Sequence, residues 1–347
     1  MFDINLLTRE NIKNLKPYSS ARDEYEGKEG IFLDANENPF ESASKQPFNR
    51  YPDPKQWALK EKIGRLKRLE PNQVFLGNGS DEAIDMVFRS FCKPGVDNVI
   101  TLPPTYGMYR VCADINDVAV KQVPLTPNYQ IDTAAVMAAI DKHTKVIWIC
   151  SPNNPTGNAI YTKDIVQLLT TFNGLVVIDE AYIDFAPDKS FTQKLKDYPN
   201  LIILQTFSKA WGMAALRLGM AFASEEIISI FNKVKYPYNI NQITQELALE
   251  AMRNLLNKEM MVEEILTQRA WLEEELSKLK LVIKVLPSDA NFLLVKMNNG
   301  HEVYQKLVAQ KIITRDRSMV TLCEDCIRIT VGTEVENKAL VEALSTI

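Results

Sequence analysis

Residues 201–209 read Leu-Ile-Ile-Leu-Gln-Thr-Phe-Ser-Lys. The apolar run is short and follows a Pro-Asn pair, which predicts a buried strand rather than a helix. Thr206, Ser208 and Lys209 are then expected at the carboxyl end of that strand, the edge at which open α/β sheets bind ligands. A partly dehydrated lysine amine at this edge can lose its proton near neutral pH and attack a carbonyl. A lone Ser-Lys pair is more often a solvated loop lysine, so the assignment depends on its companions.

Strand and helix patterns alternate on both sides of this stretch. The run Lys-Val-Ile-Trp-Ile-Cys at 145–150 and the run Leu-Val-Val-Ile-Asp at 175–179 are continuously apolar up to their ends, as in strands covered on both faces. Helical patterns at 107–116, 132–141 and 162–172 separate the predicted strands. The sequence therefore predicts an α/β fold with a mostly parallel, doubly wound sheet.

The character of the chain changes at its two ends, and this suggests four segments. Residues 1–44 are expected to form an N-terminal arm belonging to a smaller domain, and residues 45–240 the large domain. Residues 241–280 carry long helical patterns that link the two domains. Residues 281–347 contain strand patterns at 282–286, 292–296 and 327–331 and are expected to form the small C-terminal α+β domain.

Composition restricts the possible partners. The 347 residues include 40 basic and 44 acidic side chains, for a net charge of -4, and no long run of like charge, so neither nucleic acid nor a membrane is an expected partner. The beginning of the chain lacks an export pattern, and we expect a cytoplasmic protein. Its five cysteines are expected to be reduced. The Cys323-x-x-Cys326 pair has no second pair nearby and is interpreted as a turn between strands, so no metal site is expected.

A second candidate site lies at residues 77–81, Gly-Asn-Gly-Ser-Asp, between a short strand pattern and a helical pattern. We expect the helix to begin here, with Ser80 and Asp81 as suitable N-cap residues. Free N–H groups and the positive end of the helix dipole favour a phosphate. A helix that is merely capped after a turn is the alternative.

Five side chains fall where strands of the predicted sheet end or turns begin: Asn154, Asp179, Tyr182, Lys209 and Arg217. Together they match a planar, phosphorylated aromatic aldehyde with a ring nitrogen. Such a ligand needs a lysine for the aldehyde, an acid for the protonated nitrogen and donors for its oxygens, and pyridoxal 5'-phosphate fits this description. Asp179 would keep the ring nitrogen protonated, so that the ring can accept electrons.

Several motifs carry a resemblance to a known family. They are NGSDE (78–82), SPNNPTG (151–157), DEAY (179–182), TFSKA (206–210) with RLG (217–219), and RITVGT (328–333). In this order they resemble the class-II pyridoxal-phosphate-dependent aminotransferase family of fold type I, and more narrowly its histidinol-phosphate aminotransferase branch. The resemblance extends from Tyr18 to Gly332, nearly the whole chain.

The resemblance implies a role for each matching residue around the cofactor. Lys209 would condense with the aldehyde and then move the proton of the transfer, Asp179 would pair with the ring nitrogen, and Tyr106 would stack on the ring. The ring 3-oxygen would be bonded by Asn154 and Tyr182. The cofactor phosphate would be held by the backbone of Gly79, Ser80 and Asp81 and the side chains of Thr206, Ser208 and Arg217. Tyr51 would reach the phosphate in a partner subunit, which implies a homodimer.

The same resemblance implies a substrate site. Arg328 matches the arginine that binds the anionic end of the substrate. Arg315 is the better candidate to join it on a phosphate, since an arginine fork matches phosphate geometry, and Arg317 is interpreted as solvated. Tyr18, Asn36 and Asn291 resemble further substrate-side positions.

The activity implied is transfer of an amino group between L-histidinol phosphate and 2-oxoglutarate, giving imidazole acetol phosphate and L-glutamate in histidine biosynthesis. An aromatic or broad-specificity aminotransferase and a threonine-phosphate decarboxylase are close alternatives. A non-catalytic sensor of the cofactor is disfavoured because no basic helix-turn-helix pattern precedes residue 31.

Overall fold

The computed structural model describes residues 2–18 and 30–347. The helices are α1 (Ile4–Leu7), α2 (Glu10–Lys13), α3 (Trp57–Lys67), α4 (Gly79–Phe91), α5 (Met108–Ile115), α6 (Thr133–Ala139), α7 (Thr162–Thr171), α8 (Glu225–Val234), α9 (Gln242–Arg253), α10 (Leu255–Ser277), α11 (Gly300–Ala309) and α12 (Glu334–Ser345). The strands are β1 (Val74–Asn78), β2 (Asn98–Thr101), β3 (Ala119–Gln122), β4 (Thr144–Cys150), β5 (Leu175–Asp179), β6 (Leu201–Thr206), β7 (Leu218–Phe222), β8 (Val282–Val285), β9 (Phe292–Met297), β10 (Arg315–Asp316) and β11 (Cys326–Thr330).

The larger sheet has seven strands in the order β1-β7-β6-β5-β4-β2-β3. Strands β3, β2, β4, β5 and β6 run parallel, whereas β7 is antiparallel to both β6 and β1. The predicted α/β class with a mostly parallel sheet is confirmed. The carboxyl ends of β4, β5 and β6 lie together, so the polar residues after each strand meet at one edge.

The continuous apolar runs exist because both faces of this sheet are buried. Successive side chains in a strand point to opposite faces, and along β4 Ile147 and Ile149 join one core cluster while Val146 and Trp148 join another. All four side chains are at most 1% exposed. This burial on both faces fixes the position of each strand end.

The smaller sheet is antiparallel, in the order β10-β11-β9-β8. Its buried face packs against α10 and α12, where Leu272 and Leu276 meet Leu293 and Val295. The seven-stranded sheet lies within the segment proposed as the large domain, 45–240, and the four-stranded sheet within the segment proposed as the small one, 281–347. We retain these boundaries, with the linking helices of 241–280, as our proposal.

The first residues contact the large domain, although we expected the arm to belong to the small one. Arg9 N donates to Ser90 O at 3.0 Å, and Lys233 Nζ donates to Lys13 O at 2.9 Å. Phe2, Ile4 and Leu7 pack on the same core as α4 and α8. The arm's residues 19–29 lie outside the described residues.

Local sequence patterns and the structure disagree at two places. The apolar run Ile-Phe-Leu at 31–33 is a pattern that predicts a short strand, but these residues form no strand, and Ile31 and Leu33 are exposed. Helix α8 was not predicted; Ser224 caps it, and its apolar face at Ile227, Ile228 and Phe231 is buried. No helix in the described part of the chain is long and apolar enough to cross a membrane.

Candidate active site

A cavity of about 150 Å³ lies at the carboxyl edge of the large sheet. The structure brings together in its lining eleven of the residues singled out from the sequence: Gly79, Ser80, Asp81, Tyr106, Asn154, Asp179, Tyr182, Thr206, Ser208, Lys209 and Arg217. Cys150, Ala181 and Ala214 complete the lining. Residues from five separate stretches of the chain therefore face one space.

Lys209 follows β6 and enters this cavity. Its Nζ lies 5.5 Å from the centre of the Tyr182 ring. The side chain is reached by solvent, yet the protein around the amine removes part of its hydration, and this desolvation is the largest cause of its lowered pKa. The positive charge of Arg328 lowers the pKa further, while Asp179 opposes the shift. The amine is thus more readily deprotonated than an ordinary lysine, as a nucleophile requires.

Asp179 ends β5 with its side chain 2% exposed. Burial raises the pKa of its carboxyl to about 6, although two hydrogen bonds oppose that shift. Tyr109 Oη donates to Asp179 Oδ2 at 2.8 Å, and the backbone N–H of Ala181 donates to Oδ1 at 3.1 Å. A buried carboxyl of this kind can pair with a protonated nitrogen.

Tyr109 was missed in the sequence. It is fully buried and stacks on Trp148, with 4.9 Å between the ring centres. The available signal was its position three residues after Tyr106, which places both tyrosines on one side of the turn into α5. Nothing local, however, indicates that its hydroxyl reaches Asp179, 70 residues away.

Asn154 and Tyr182 form a hydrogen-bonded chain with Arg328. Arg328 Nη1 donates to Asn154 Oδ1 at 2.6 Å, and Asn154 Nδ2 donates to the Tyr182 hydroxyl at 3.3 Å. Asn154 and Tyr182 are buried, and the Arg328 guanidinium lies 5.3 Å from the centre of the Phe292 ring. Burial, the largest cause, raises the pKa of the Tyr182 hydroxyl. The chain links β11 of the small sheet to the cavity.

The beginning of α4 forms a cradle that depends on two glycines. Gly79 has a left-handed φ of 73°, and a Cβ on Gly219 would lie 2.1 Å from the N atom of Ser80. No larger residue at position 219 permits this approach of β7. We expected Ser80 or Asp81 to cap α4, but the helix begins at Gly79, and the N-cap is Asn78, whose N–H donates to Glu82 Oε2 at 2.5 Å. The Ser80 hydroxyl is therefore not used as the cap.

Hydroxyl groups and one guanidinium surround this cradle. Ser208 N donates to Thr206 Oγ1 at 3.1 Å, and the two hydroxyls lie 3.0 Å apart. Arg217 has a left-handed φ of 53°, and its Nη2 lies 3.4 Å from Asp81 Oδ2. These donors, with the N-terminus of α4, form a site suited to a phosphate group.

Tyr106 lies beside the cradle. Its hydroxyl donates to Asp81 Oδ1 at 3.2 Å, and its ring packs edge-on to Tyr109 with 5.6 Å between centres. Burial, the largest cause, raises the pKa of the Tyr106 hydroxyl. Its ring is positioned at the wall of the cavity, where a flat ligand ring could pack against it.

Six predicted site residues lie outside the lining of this cavity, namely Arg328, which contacts Asn154 of the lining, and five others. Tyr51 stacks on Tyr238, with 4.4 Å between ring centres, in a second pocket that also contains Asn36. Tyr18 is 76% exposed. Asn291 is partly buried, and its backbone carbonyl accepts from Val331 N at 3.0 Å. Arg315 is exposed and pairs in register with Arg328.

Arg317, which we interpreted as solvated, is partly buried. Its Nε atom is inaccessible to solvent and has no hydrogen-bond acceptor among the described residues. The interpretation was wrong because the N–H of Arg317 donates to Cys326 O at 2.9 Å and so holds the residue beside β11, a contact that a local charge pattern cannot show.

The residues around the cavity suit one particular cofactor. A buried acid of raised pKa, a lysine of lowered pKa and a phosphate cradle lie around one space and match the ring nitrogen, aldehyde and phosphate of pyridoxal 5'-phosphate. A Cβ at Gly79 would lie 2.7 Å from Arg217 Nη2, so a larger residue there would intrude on the cradle. The residues present fit that group.

Comparison with known proteins places this geometry in a family. The model of aminotransferase class I and II matches residues 24–344. The histidinol-phosphate aminotransferase of Cytophaga hutchinsonii is 57% identical over 345 residues, 99% of either chain. The crystal structure of the histidinol-phosphate aminotransferase from Clostridium acetobutylicum is similar with a TM-score of 0.80 at 26% identity, over 86% of this chain and 90% of that one. The enzyme from Sinorhizobium meliloti in complex with pyridoxal-5'-phosphate has the same fold, with a TM-score of 0.80 at 23% identity, over 90% of this chain and 89% of that one.

Proposed function

The chain belongs to the aminotransferase class I and II family, and on that premise we propose that it transfers the amino group of L-histidinol phosphate to 2-oxoglutarate. The products are imidazole acetol phosphate and L-glutamate, and the reaction is a step of histidine biosynthesis. The observation that carries this proposal is the position of Arg328, whose guanidinium is 2.6 Å from Asn154 at the wall of the lysine cavity. A positive group there binds the anionic end of a substrate whose amine lies at Lys209.

The cofactor is pyridoxal 5'-phosphate, which when bound supplies a ring that withdraws electrons from the substrate carbon bearing the amine. Asp179 would keep the proton on the ring nitrogen, because a buried carboxylate is stabilised by a neighbouring cation. The cradle at the start of α4, with Ser208 and Arg217, would hold the phosphate. Together these residues would orient the ring in the cavity.

Lys209 would hold the aldehyde group of the cofactor, and its amine is placed in the cavity to move the proton of the amino transfer. Burial, the largest cause, lowers the pKa of this amine, so it loses its proton more readily than an ordinary lysine does. Asn154 and Tyr182 would donate to the ring oxygen. Tyr106 would pack on the ring face and exclude water from it.

A visible spectrum of the purified protein tests the assignment. We expect bound cofactor to absorb in the visible range, to lose that absorbance on addition of histidinol phosphate and to regain it with 2-oxoglutarate. Lys209→Ala should abolish attachment by borohydride, and the control Lys163→Ala, an exposed lysine over the Tyr161 ring, should not. Bleaching only by another amino donor would favour a broad-specificity aminotransferase, and release of CO₂ from threonine phosphate would favour the decarboxylase.

We also propose that two chains associate and that Tyr51 completes the phosphate site of the partner subunit. Tyr51 is 52% exposed and lies outside the cavity of its own chain. Phe48 and Ile243, which line the same pocket as Tyr51, are also exposed apolar side chains. Mixing Tyr51→Ala chains with Lys209→Ala chains should restore activity, because one intact site forms in each mixed dimer. A monomer in sedimentation, or no restored activity, would contradict this. We propose the cytoplasm as the location of this enzyme.

A further inference from the structure

Three arginines lie on one face of the small sheet beside the cavity. Arg315 in β10 is paired with Arg328 in β11, and the N–H of Arg317 donates to Cys326 O at 2.9 Å, continuing the pairing. Alternate residues of a strand share a face, so Arg317 lies on the face of Arg315. The side chain of Asp316, between them, lies on the opposite face of the sheet. Its Oδ2 is 2.7 Å from Nδ1 of His301 on α11.

The positive charge of this group is not balanced within the described chain. No carboxylate oxygen of the described residues lies within 4.0 Å of Arg315, Arg317 or Arg328. Buried or partly buried arginines are ordinarily paired, because unpaired charge is costly to dehydrate. Neighbouring like charges add to that cost. An anion bound between the three guanidinium groups would offset it.

Of these three arginines, Arg317 is the one that the sequence did not indicate as a ligand of substrate. Its Nε is buried and donates to no acceptor in residues 2–18 and 30–347, and a buried donor without a partner costs free energy. Burial is the largest cause of its lowered pKa, and the charges of Arg328 and Arg315 lower the pKa further. Arg317 is held beside β11 by its bond to Cys326 O, and Arg328 of the same strand bonds Asn154 in the lining of the cavity. The arginine group therefore lies on the side of the cavity that Arg328 borders.

We propose that Arg317 is a specificity-determining residue, which together with Arg315 and Arg328 binds the doubly charged phosphate of the amino donor. This inference rests on the proposed function. The same position must also take the distal carboxylate of 2-oxoglutarate, which carries one charge. Two arginines suffice for a carboxylate, whereas a phosphate dianion has three oxygens that can each accept from a separate guanidinium. Arg317 thus favours the phosphorylated substrate over the dicarboxylate.

The experiment compares Arg317→Gln, Arg317→Lys and the control Arg65→Gln, which removes an exposed arginine paired with Glu61 on α3. Each is made in the active enzyme and in a Lys209→Ala background loaded with cofactor, in which binding is followed by absorbance without turnover. The ligands are histidinol phosphate and histidinol, which differ only in the phosphate. The KM for 2-oxoglutarate is measured separately.

We expect Arg317→Gln to weaken binding of histidinol phosphate about tenfold or more, as for loss of a charge-assisted hydrogen bond. Binding of histidinol and the KM for 2-oxoglutarate should change much less, and Arg317→Lys should restore part of the loss. Equal loss for both amines would mean a structural role and would overturn the inference, as would no loss for either. A wild type that does not react with histidinol phosphate at all refutes the proposed function instead. In that case phosphoserine and serine replace the ligand pair, and equal binding of phosphoserine by wild type and Arg317→Gln overturns the inference.

Discussion

The hydroxyl of Tyr109 donates a 2.8 Å hydrogen bond to Oδ2 of Asp179, and both side chains are almost completely buried. The bond crosses from α5 to the end of β5. It lowers the pKa of this carboxyl and so opposes burial, which is the largest cause of the raised value. Tyr109 is therefore a positioning residue, which acts on the cofactor through Asp179.

Removing this hydroxyl should weaken cofactor binding. In Tyr109→Phe the pKa of Asp179 rises above its present value of about 6, because one of the groups that lower it is lost. We expect an affinity loss of about tenfold, in line with a hydrogen bond to a charged group, and a loss that increases as the pH falls from 8 towards 6. Equilibrium dialysis with pyridoxal phosphate measures it. Tyr161→Phe, at an exposed tyrosine, serves as control, and equal affinity of Tyr109→Phe and wild type across this pH range would refute the role.

Asp179 should destabilise the cofactor-free protein at high pH. Its folded pKa is raised from 3.8 to about 6, so its favourable contribution is present below about pH 4 and is lost as the pH rises through about 6. The difference amounts to roughly 3 kcal/mol in the free energy of unfolding. Asp179→Asn should therefore stabilise the cofactor-free chain more at pH 8 than at pH 5, although it weakens cofactor binding. Urea denaturation of both proteins at the two pH values measures this difference. An equal change in the free energy of unfolding at pH 5 and pH 8 would show that the pKa of the Asp179 carboxyl is not raised in the folded chain.

Arg328 should set part of the reactivity of Lys209. Its charge is the largest electrostatic cause of the lowered lysine pKa, after burial. In Arg328→Gln that pKa rises, so the attachment of cofactor to cofactor-free protein should need a higher pH to reach its full rate. Stopped-flow absorbance between pH 6 and 10 gives the profile. Arg65→Gln is expected to leave the pH dependence of this rate unchanged. The same pH dependence in Arg328→Gln and wild type would mean that the charge of Arg328 does not lower the pKa of the Lys209 amine.

A methyl group at Gly219 should open the phosphate cradle. The added Cβ would lie 2.1 Å from Ser80 N and 2.2 Å from Gly79 C, so β7 and the start of α4 must separate. We expect a loss of about 1–3 kcal/mol in stability, as in other overpacked sites, and weaker cofactor binding. Thermal unfolding and dialysis measure the two effects. Gly107→Ala is the matched control, because a Cβ there meets nothing within 4 Å and the backbone φ is -68°; similar losses in both variants would contradict the account.

Much of the fold followed from local patterns. The apolar runs of β4, β5 and β6 are long enough, and the helical patterns between them regular enough, to predict a mostly parallel sheet. Helix α8 escaped prediction although its cap and apolar face are ordinary. The three apolar residues at 31–33 resemble a strand pattern but form none. A strand also needs a neighbouring strand to pair with, and a local sequence pattern does not show whether one is present.

The site was predictable where its chemistry lies at strand ends. Asp179 and Thr206 end β5 and β6, and Asn154 and Lys209 follow β4 and β6 closely, so the parallel sheet itself gathers them at one edge. Tyr109 and Arg317 were missed or misjudged for the opposite reason. Their significance depends on contacts with residues distant in sequence and on burial, which a charge or an aromatic ring in a local pattern does not reveal.

The sequence by itself determined which side chains of this protein reach the edge of the large sheet, since alternation along buried strands and the turns that end them are local properties. Only the tertiary structure decided the electrostatic state of those side chains. The raised pKa of Asp179, the lowered pKa of Lys209 and the unbalanced charge around Arg317 all depend on how much water the surrounding elements exclude. Solvent exclusion is a property of packing in three dimensions, and it becomes fixed only when both domains have folded.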